Sequence, residues 1–311
     1  MSKIRFGMKR KGWICLMALW GMTLGSEAQV RISEGIEEHL GKGSPEQFVL
    51  THWGRKAEED RRYKLEAISS VEEGTRVMKL CIAPEDPAGA GKGPEIVSKE
   101  YTHFGTYSAR IKVPDVREVQ PNVGAVVGYF TYNMEREAGL SEIDWEWLIA
   151  DPRLVYIGTW TGADDNHLQR VGRVINLSTG EILATSYRSA ADSNRNHRLT
   201  GAQSMPQRVP TIPGYDASKR FYTYGFDWQE DRIVWWILHP ETKERIVLWD
   251  YRGSTPLFSG IPTHKTKYRL NFWHTNNWPV DTNPQSVEKP ERPYEVEVEW
   301  MKYEGSKQIE N

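Results

Sequence analysis

Residues 142–149 read Glu-Ile-Asp-Trp-Glu-Trp-Leu-Ile, so that carboxylates at Glu142, Asp144 and Glu146 alternate with Ile143, Trp145, Trp147 and Ile149. A period of two is the strand period, which puts the three acids on one face and the large apolar groups on the other. Same-face neighbours on a strand lie roughly 7 Å apart. Three carboxylates at that spacing repel one another, and no Lys or Arg is interleaved to neutralise them. A strand that only had to be wet on one side has Thr, Lys and Gln to choose from. This pattern reads instead as a catalytic strand.

The chemistry that suits it is cleavage of an acetal. That reaction needs a proton donor on the leaving oxygen and a carboxylate near the developing oxocarbenium ion. A carboxyl group beside another charge keeps its proton to higher pH, as a general acid must. Spacing alone does not choose the stereochemistry. On a flat strand the Cβ atoms of Glu142 and Glu146 would stand roughly 13 Å apart, whereas a retaining mechanism wants the carboxyls at about 5–5.5 Å. Curvature and converging rotamers would have to close the gap.

The surrounding elements are strands. Alternating or β-branched and aromatic segments occur at 76–83, 104–113, 123–132, 154–160, 221–228, 232–238, 245–249, 268–273 and 294–303, separated by Gly/Pro turn signals. No long stretch has apolar residues at helical spacing, so the chain reads as an all-β sandwich in one domain over 29–311. Residues 162–214 are polar and weakly periodic, with short strands expected only at 174–177 and 182–187. A connection of that length is usually functional or disordered. Its Arg170, Arg173, Arg188, Arg195, Arg198 and Arg208 read as a solvated set.

The first 28 residues read as an export signal. Lys3, Arg5, Lys9, Arg10 and Lys11 precede an apolar run from Trp13 to Leu24, and Ser26-Glu27-Ala28 offers small residues for cleavage near Ala28. The run is short for a membrane span. Cleavage there leaves Cys81 as the one cysteine, hence no internal disulfide, and places the product in the periplasm, at the cell surface or outside. A net charge of −2 without a basic cluster excludes a nucleic-acid footprint. The 13 Trp and 14 Tyr suit both a core and stacking platforms for sugar rings. Gly89–Gly93 lacks the Lys-Ser/Thr of a phosphate loop, and the eight His show no zinc spacing.

In this order of blocks the chain resembles glycoside hydrolase family 16, most closely its lichenases and transglycosylases. The likeness runs through Pro94–Ser98 with Phe104–Pro114, Val127–Tyr132, the Glu-x-Asp-x-Glu of Ser141–Leu148, Tyr215–Trp228 with Ile233–Ile237, and Leu270–Trp278 with Tyr294–Tyr303. The resemblance implies a β-jelly-roll of two curved antiparallel sheets, concanavalin A-like, with the active site on the concave sheet. It implies Glu142 as nucleophile, Asp144 as assisting acid and Glu146 as acid/base, with no catalytic cofactor. Glu95, Phe130, Tyr132, Trp160, Asn271, Trp273 and Trp278 fall at its substrate-binding positions, and Glu299 at the position of an acid that holds structural calcium. The implied partner is a β-linked polysaccharide, acted on by a monomer through endo cleavage with retention. Alternatives are transglycosylation on the same fold and a non-catalytic glycan-binding module. Two departures from the lichenase pattern bear on the substrate: Val97 stands where lichenases have Arg, and Gly158 where they have Asn.

Overall fold

The computed structural model describes residues 31–306, apart from 53–54, 57–62, 68–75, 165, 193–194, 254 and 276–287. The export segment read at 1–28 therefore lies outside the described residues, as does Trp278. Among the described residues eighteen strands follow one another: β1 Gly35–His39, β2 Phe48–His52, β3 Arg55–Lys56, β4 Tyr63–Ala67, β5 Arg76–Ile82, β6 Pro94–Ser98, β7 Gly105–Lys112, β8 Ala125–Glu135, β9 Gly139–Leu148, β10 Leu154–Gly162, β11 Leu168–Asn176, β12 Glu181–Arg188, β13 His197–Arg198, β14 Tyr222–Gln229, β15 Arg232–Leu238, β16 Arg245–Tyr251, β17 Lys267–His274 and β18 Tyr294–Gly305. They form two antiparallel sheets, the jelly-roll sandwich that was expected. The front sheet runs β13-β12-β11-β10-β9-β8-β17-β6-β2-β3, and the back sheet β16-β15-β14-β7-β18-β5-β4 with β1 paired to β18. Among the described residues no helix is long and apolar enough to cross a membrane.

The acidic segment is β9, at the middle of the front sheet between β8 and β10. Its apolar side chains do what their alternation requires. Ile143, Trp145 and Trp147 are wholly buried between the sheets. Trp145 and Trp147 stack at 5.7 Å and both pack against Tyr224 of β14. The indole N–H groups would be costly to bury unpaired. Trp145 donates to the Gly225 carbonyl at 3.3 Å, and Trp147 to the Tyr215 hydroxyl at 3.3 Å. In return, Trp235 of β15 donates from Nε1 to the Asp144 carbonyl at 3.1 Å. The back sheet thus grips the backbone of the acidic strand at its central residue.

Residues 162–214 differ from the expected irregular connection. Strands β11 and β12 span 168–176 and 181–188, longer than read from the sequence, and with β13 they extend the front sheet beyond β10. Polar side chains hide the period because both faces carry arginine. Arg173 points inward and is wholly buried, not solvated. Its guanidinium lies 4.5 Å from the Trp249 ring centre and donates to Thr185, to the Leu248 carbonyl and to the Met205 carbonyl. Burial pushes its pKa down to about 9. Glu299 sits at an irregularity in the pairing of β18 with β7, and its carboxylate is paired with Arg110. A cation at that carboxylate would share it with the Arg110 guanidinium.

Removing the Trp145 ring should open a cavity under the acidic strand. Trp145→Ala is expected to cost about 3–5 kcal/mol of unfolding free energy, read from urea denaturation.

Candidate active site

Directly paired residues of antiparallel strands share a face, so the pairings define rows across the front of the sheet. The Glu142 row runs Lys267, Tyr132, Glu142, Trp160, Arg170, Arg188. The Asp144 row runs Val97, Arg269, Phe130, Asp144, Gly158, Gly172. The Glu146 row runs Glu95, Asn271, Gly128, Glu146, Tyr156. One row further, Trp273 pairs with Val126, which pairs with Leu148. The three acids and every predicted substrate-binding residue within the described part therefore share one face.

Their surroundings differ. Asp144 is 3% exposed, and its Oδ2 is buried without a hydrogen-bond partner. Burial pushes its pKa well above the carboxylate range, the charges of Glu142 and Glu146 push it further, and Arg170 opposes them. Glu142 is half-buried, and its pKa is likewise raised, first by desolvation and then by Glu146, with Arg269 opposing. Burial and mutual repulsion thus both favour the protonated forms of Asp144 and Glu142.

Glycines beside the acids make room for long side chains from the facing strand or from the neighbouring row. A Cβ on Gly128, next to Glu146, would meet Asn271 Oδ1 at 2.6 Å. That oxygen is buried and has no partner. A Cβ on Gly158 or Gly172, next to Asp144, would meet the Tyr156 hydroxyl at 2.4 or 2.5 Å. The Tyr156 phenol therefore fills the trough left where the lichenase-like pattern has Asn.

The other departure is answered in the same way. Val97 carries no guanidinium, but its register partner Arg269 does. Arg269 Nη1 pairs with Glu95 Oε1 at 3.0 Å, and its guanidinium lies 5.3 Å from the Tyr132 ring centre. Sequence reading missed Arg269 and Tyr156, although alternation through Lys267-Tyr-Arg-Leu-Asn-Phe-Trp273 puts Arg269 on the face of Asn271. Arg170, read as solvated, is 6% exposed and lies 5.4 and 5.6 Å from the ring centres of Tyr156 and Trp160. Phe130 (8% exposed) is packed into the floor. Trp273 is 6% exposed and packs with Val126, Leu148 and Ala150, so it is less open than a free stacking platform.

The family model described as glycosyl hydrolases family 16 matches residues 56–302. The chain belongs to that family. Among curated relatives, the β-glucanase of Brevibacillus brevis is 24% identical over 208 residues, covering 62% of this chain and 64% of that protein. The family 16 chain thus spans less than two thirds of that relative's length. Among solved structures, a β-1,3-1,4-glucanase (lichenase) from a mouse hindgut metagenome shares the fold at a TM-score of 0.51, with 17% identity and 88% and 100% of the two chains covered. A Crh5 transglycosylase in complex with NAG does so equally, at a TM-score of 0.51, 16% identity and coverage of 88% and 85%.

The raised carboxylate gives a signed prediction. A folded-state pKa above the ordinary value of 4.5 means that ionising Glu142 costs stability as the pH rises through that value. Glu142→Gln should therefore be more stable than the parent at neutral pH, by on the order of 1 kcal/mol. The gain should vanish near pH 4, where the parent carboxyl is protonated. Thermal melts across the range check this, and a gain that grows toward acid would contradict it.

Proposed function

We propose that this family 16 chain is an exported, endo-acting β-glycanase that cleaves its polysaccharide with retention of configuration. The observation that carries the reading is the set of three carboxylates on one face of one strand, gripped from behind by Trp235, with burial and mutual repulsion raising the pKa of Glu142 and Asp144. Glu142 attacks the anomeric carbon and forms the glycosyl–enzyme bond. Glu146 gives its proton to the departing oxygen, then takes one from the attacking water. Asp144 stands between the two glutamates on the strand, holds Glu142 in place and modulates its charge. The Arg269 charge favours the anionic form of Glu142, which supports Glu142 over Glu146 as nucleophile. A neutral β-glucan is the favoured substrate, in keeping with the β-glucanase relative.

Transfer to a sugar hydroxyl is the second reading. The extension of the front sheet by β11–β13 supports it, because it adds surface beside Trp160 where an acceptor chain would lie. Product analysis at high acceptor concentration separates the two: chain lengthening without matching release of reducing ends would replace hydrolysis by transfer.

Purified protein screened against a polysaccharide panel should release reducing ends from a β-linked glucan, and activity on α-linked glucans alone would overturn the reading. With an activated aryl glycoside, Glu142→Ala should lose turnover, by roughly a thousandfold or more. Azide should restore it and yield a glycosyl azide of inverted configuration. Glu146→Ala should spare the first step on such a substrate, and azide should then yield the retained product. Full activity of either variant on an unactivated glycan would remove the carboxylate pair from the mechanism.

A further inference from the structure

Arg170 of β11 is drawn down onto the sheet at a cost in solvation, where an arginine present only for solubility would stay in water. It is 6% exposed, and its guanidinium lies 5.4 Å from the Tyr156 ring centre and 5.6 Å from that of Trp160. The side-chain oxygen of Asn196, just before β13, accepts from Arg170 Nη2 at 2.8 Å and also from Arg188 Nε of β12.

The two rings are the β10 neighbours of the two catalytic glutamates. Trp160 is the register partner of Glu142, and Tyr156 that of Glu146. Between them stands Gly158, the partner of Asp144, and Gly172 faces it from β11. Tyr156 leans over both glycines, since a Cβ on either would meet its hydroxyl. One guanidinium therefore spans the Asp144 row and braces an aromatic group from the row on each side. A planar cation suits that place, because it stacks on aromatic faces and is drawn to them electrostatically.

The same placement supplies a charge that does not titrate. Strand β11 stands two strands from β9, or about 10 Å, and the two intervening glycines put no side chain of their own in the gap. The Arg170 charge favours the ionised form of Asp144 against burial and its neighbours. Facing Asp144 are Glu142 and Glu146 of β9, Tyr156 of β10 and Arg269 of β17, while β8 presents Phe130. Tyr132, Lys267 and Arg188 stand further along the Glu142 row.

We propose that Arg170 is a positioning residue for the family 16 reaction. Braced between Tyr156 and Trp160 and tied to Asn196, it fixes the aromatic neighbours of Glu142 and Glu146 and holds a permanent positive charge beside the acidic strand. This goes beyond the function proposed above and rests on it.

The test compares Arg170→Met and Arg170→Lys with the parent on an activated aryl glycoside across pH. Loss of a nearby cation raises a carboxyl pKa, so in Arg170→Met the acid limb of kcat/KM should move to higher pH, by about half a unit or more. The loosened rings should lower kcat by roughly tenfold. Arg170→Lys keeps the charge but not the plane, so it should return the limb to the parent position and leave kcat low. An unmoved limb in Arg170→Met, a loss confined to KM, or identical limbs in the two variants would each overturn the assignment. Should Arg170→Met fail to fold, Asn196→Ala releases the guanidinium without removing it, and parent kcat in that variant would overturn the assignment as well. Carboxyl chemical shifts followed by NMR against pH, with the Asp144 signal assigned by its loss in Asp144→Asn, read the charge without turnover. If the parent hydrolyses nothing while that signal titrates at higher pH in Arg170→Met, the hydrolase reading falls and the placement of the charge stands.

Discussion

Crowding three carboxylates onto one short strand costs free energy, and the site exists because the opposite face of that strand is held firmly. Trp145 and Trp147 bury a stacked pair of indoles against Tyr224, and their N–H groups are satisfied by the Gly225 carbonyl of the back sheet and by the Tyr215 hydroxyl. Trp235 returns a hydrogen bond to the Asp144 carbonyl. Full burial of side chains of this size contributes several kcal/mol, enough to offset repulsion on the far side. The same alternation that makes the strand acidic in front makes it immobile behind. A flexible strand would relax by splaying its acids, and the pKa separation that acid/base chemistry requires would be lost with it.

The front face is a lattice in which a small residue in one position lets a long one from the facing strand or the next row lie across it. Gly128 admits the Asn271 amide beside Glu146, and Gly158 with Gly172 admits the Tyr156 phenol beside Asp144. Arg269 stands opposite Val97 in the same manner. Substituting along a single strand would therefore mislead. What is absent at position 97 is supplied from position 269 across the β6–β17 pairing, and what is absent at position 158 from Tyr156, two residues away on the same strand.

The extension by β11–β13 is fixed to the sandwich by Arg173, whose guanidinium lies in the interior with oxygen acceptors and the face of Trp249. Arginine is the cation best suited to such a place, since its delocalised charge stacks on aromatic rings and is weakly hydrated. On the outward face, Arg170 packs against Tyr156 and Trp160. One strand thus carries an arginine on each face, one anchoring the extension and one shaping the ground beside the acids.

The sequence alone determined the strand class, the acid face and the inward face of 142–149, because a period of two leaves no other way to bury Trp145 and Trp147. The ordered blocks from Pro94 to Tyr303 likewise carried the family. Three things were decided only by tertiary structure. The 162–214 segment became part of the sheet, since its inward arginine is acceptable only where Trp249 and carbonyls from distant segments meet it. Glu299 took Arg110 as its partner, a contact 189 residues away in sequence that strand pairing alone creates. The donors flanking the acids came from Arg269 and Tyr156, because register between strands sets which side chains share a row, and register is a property of the assembled sheet.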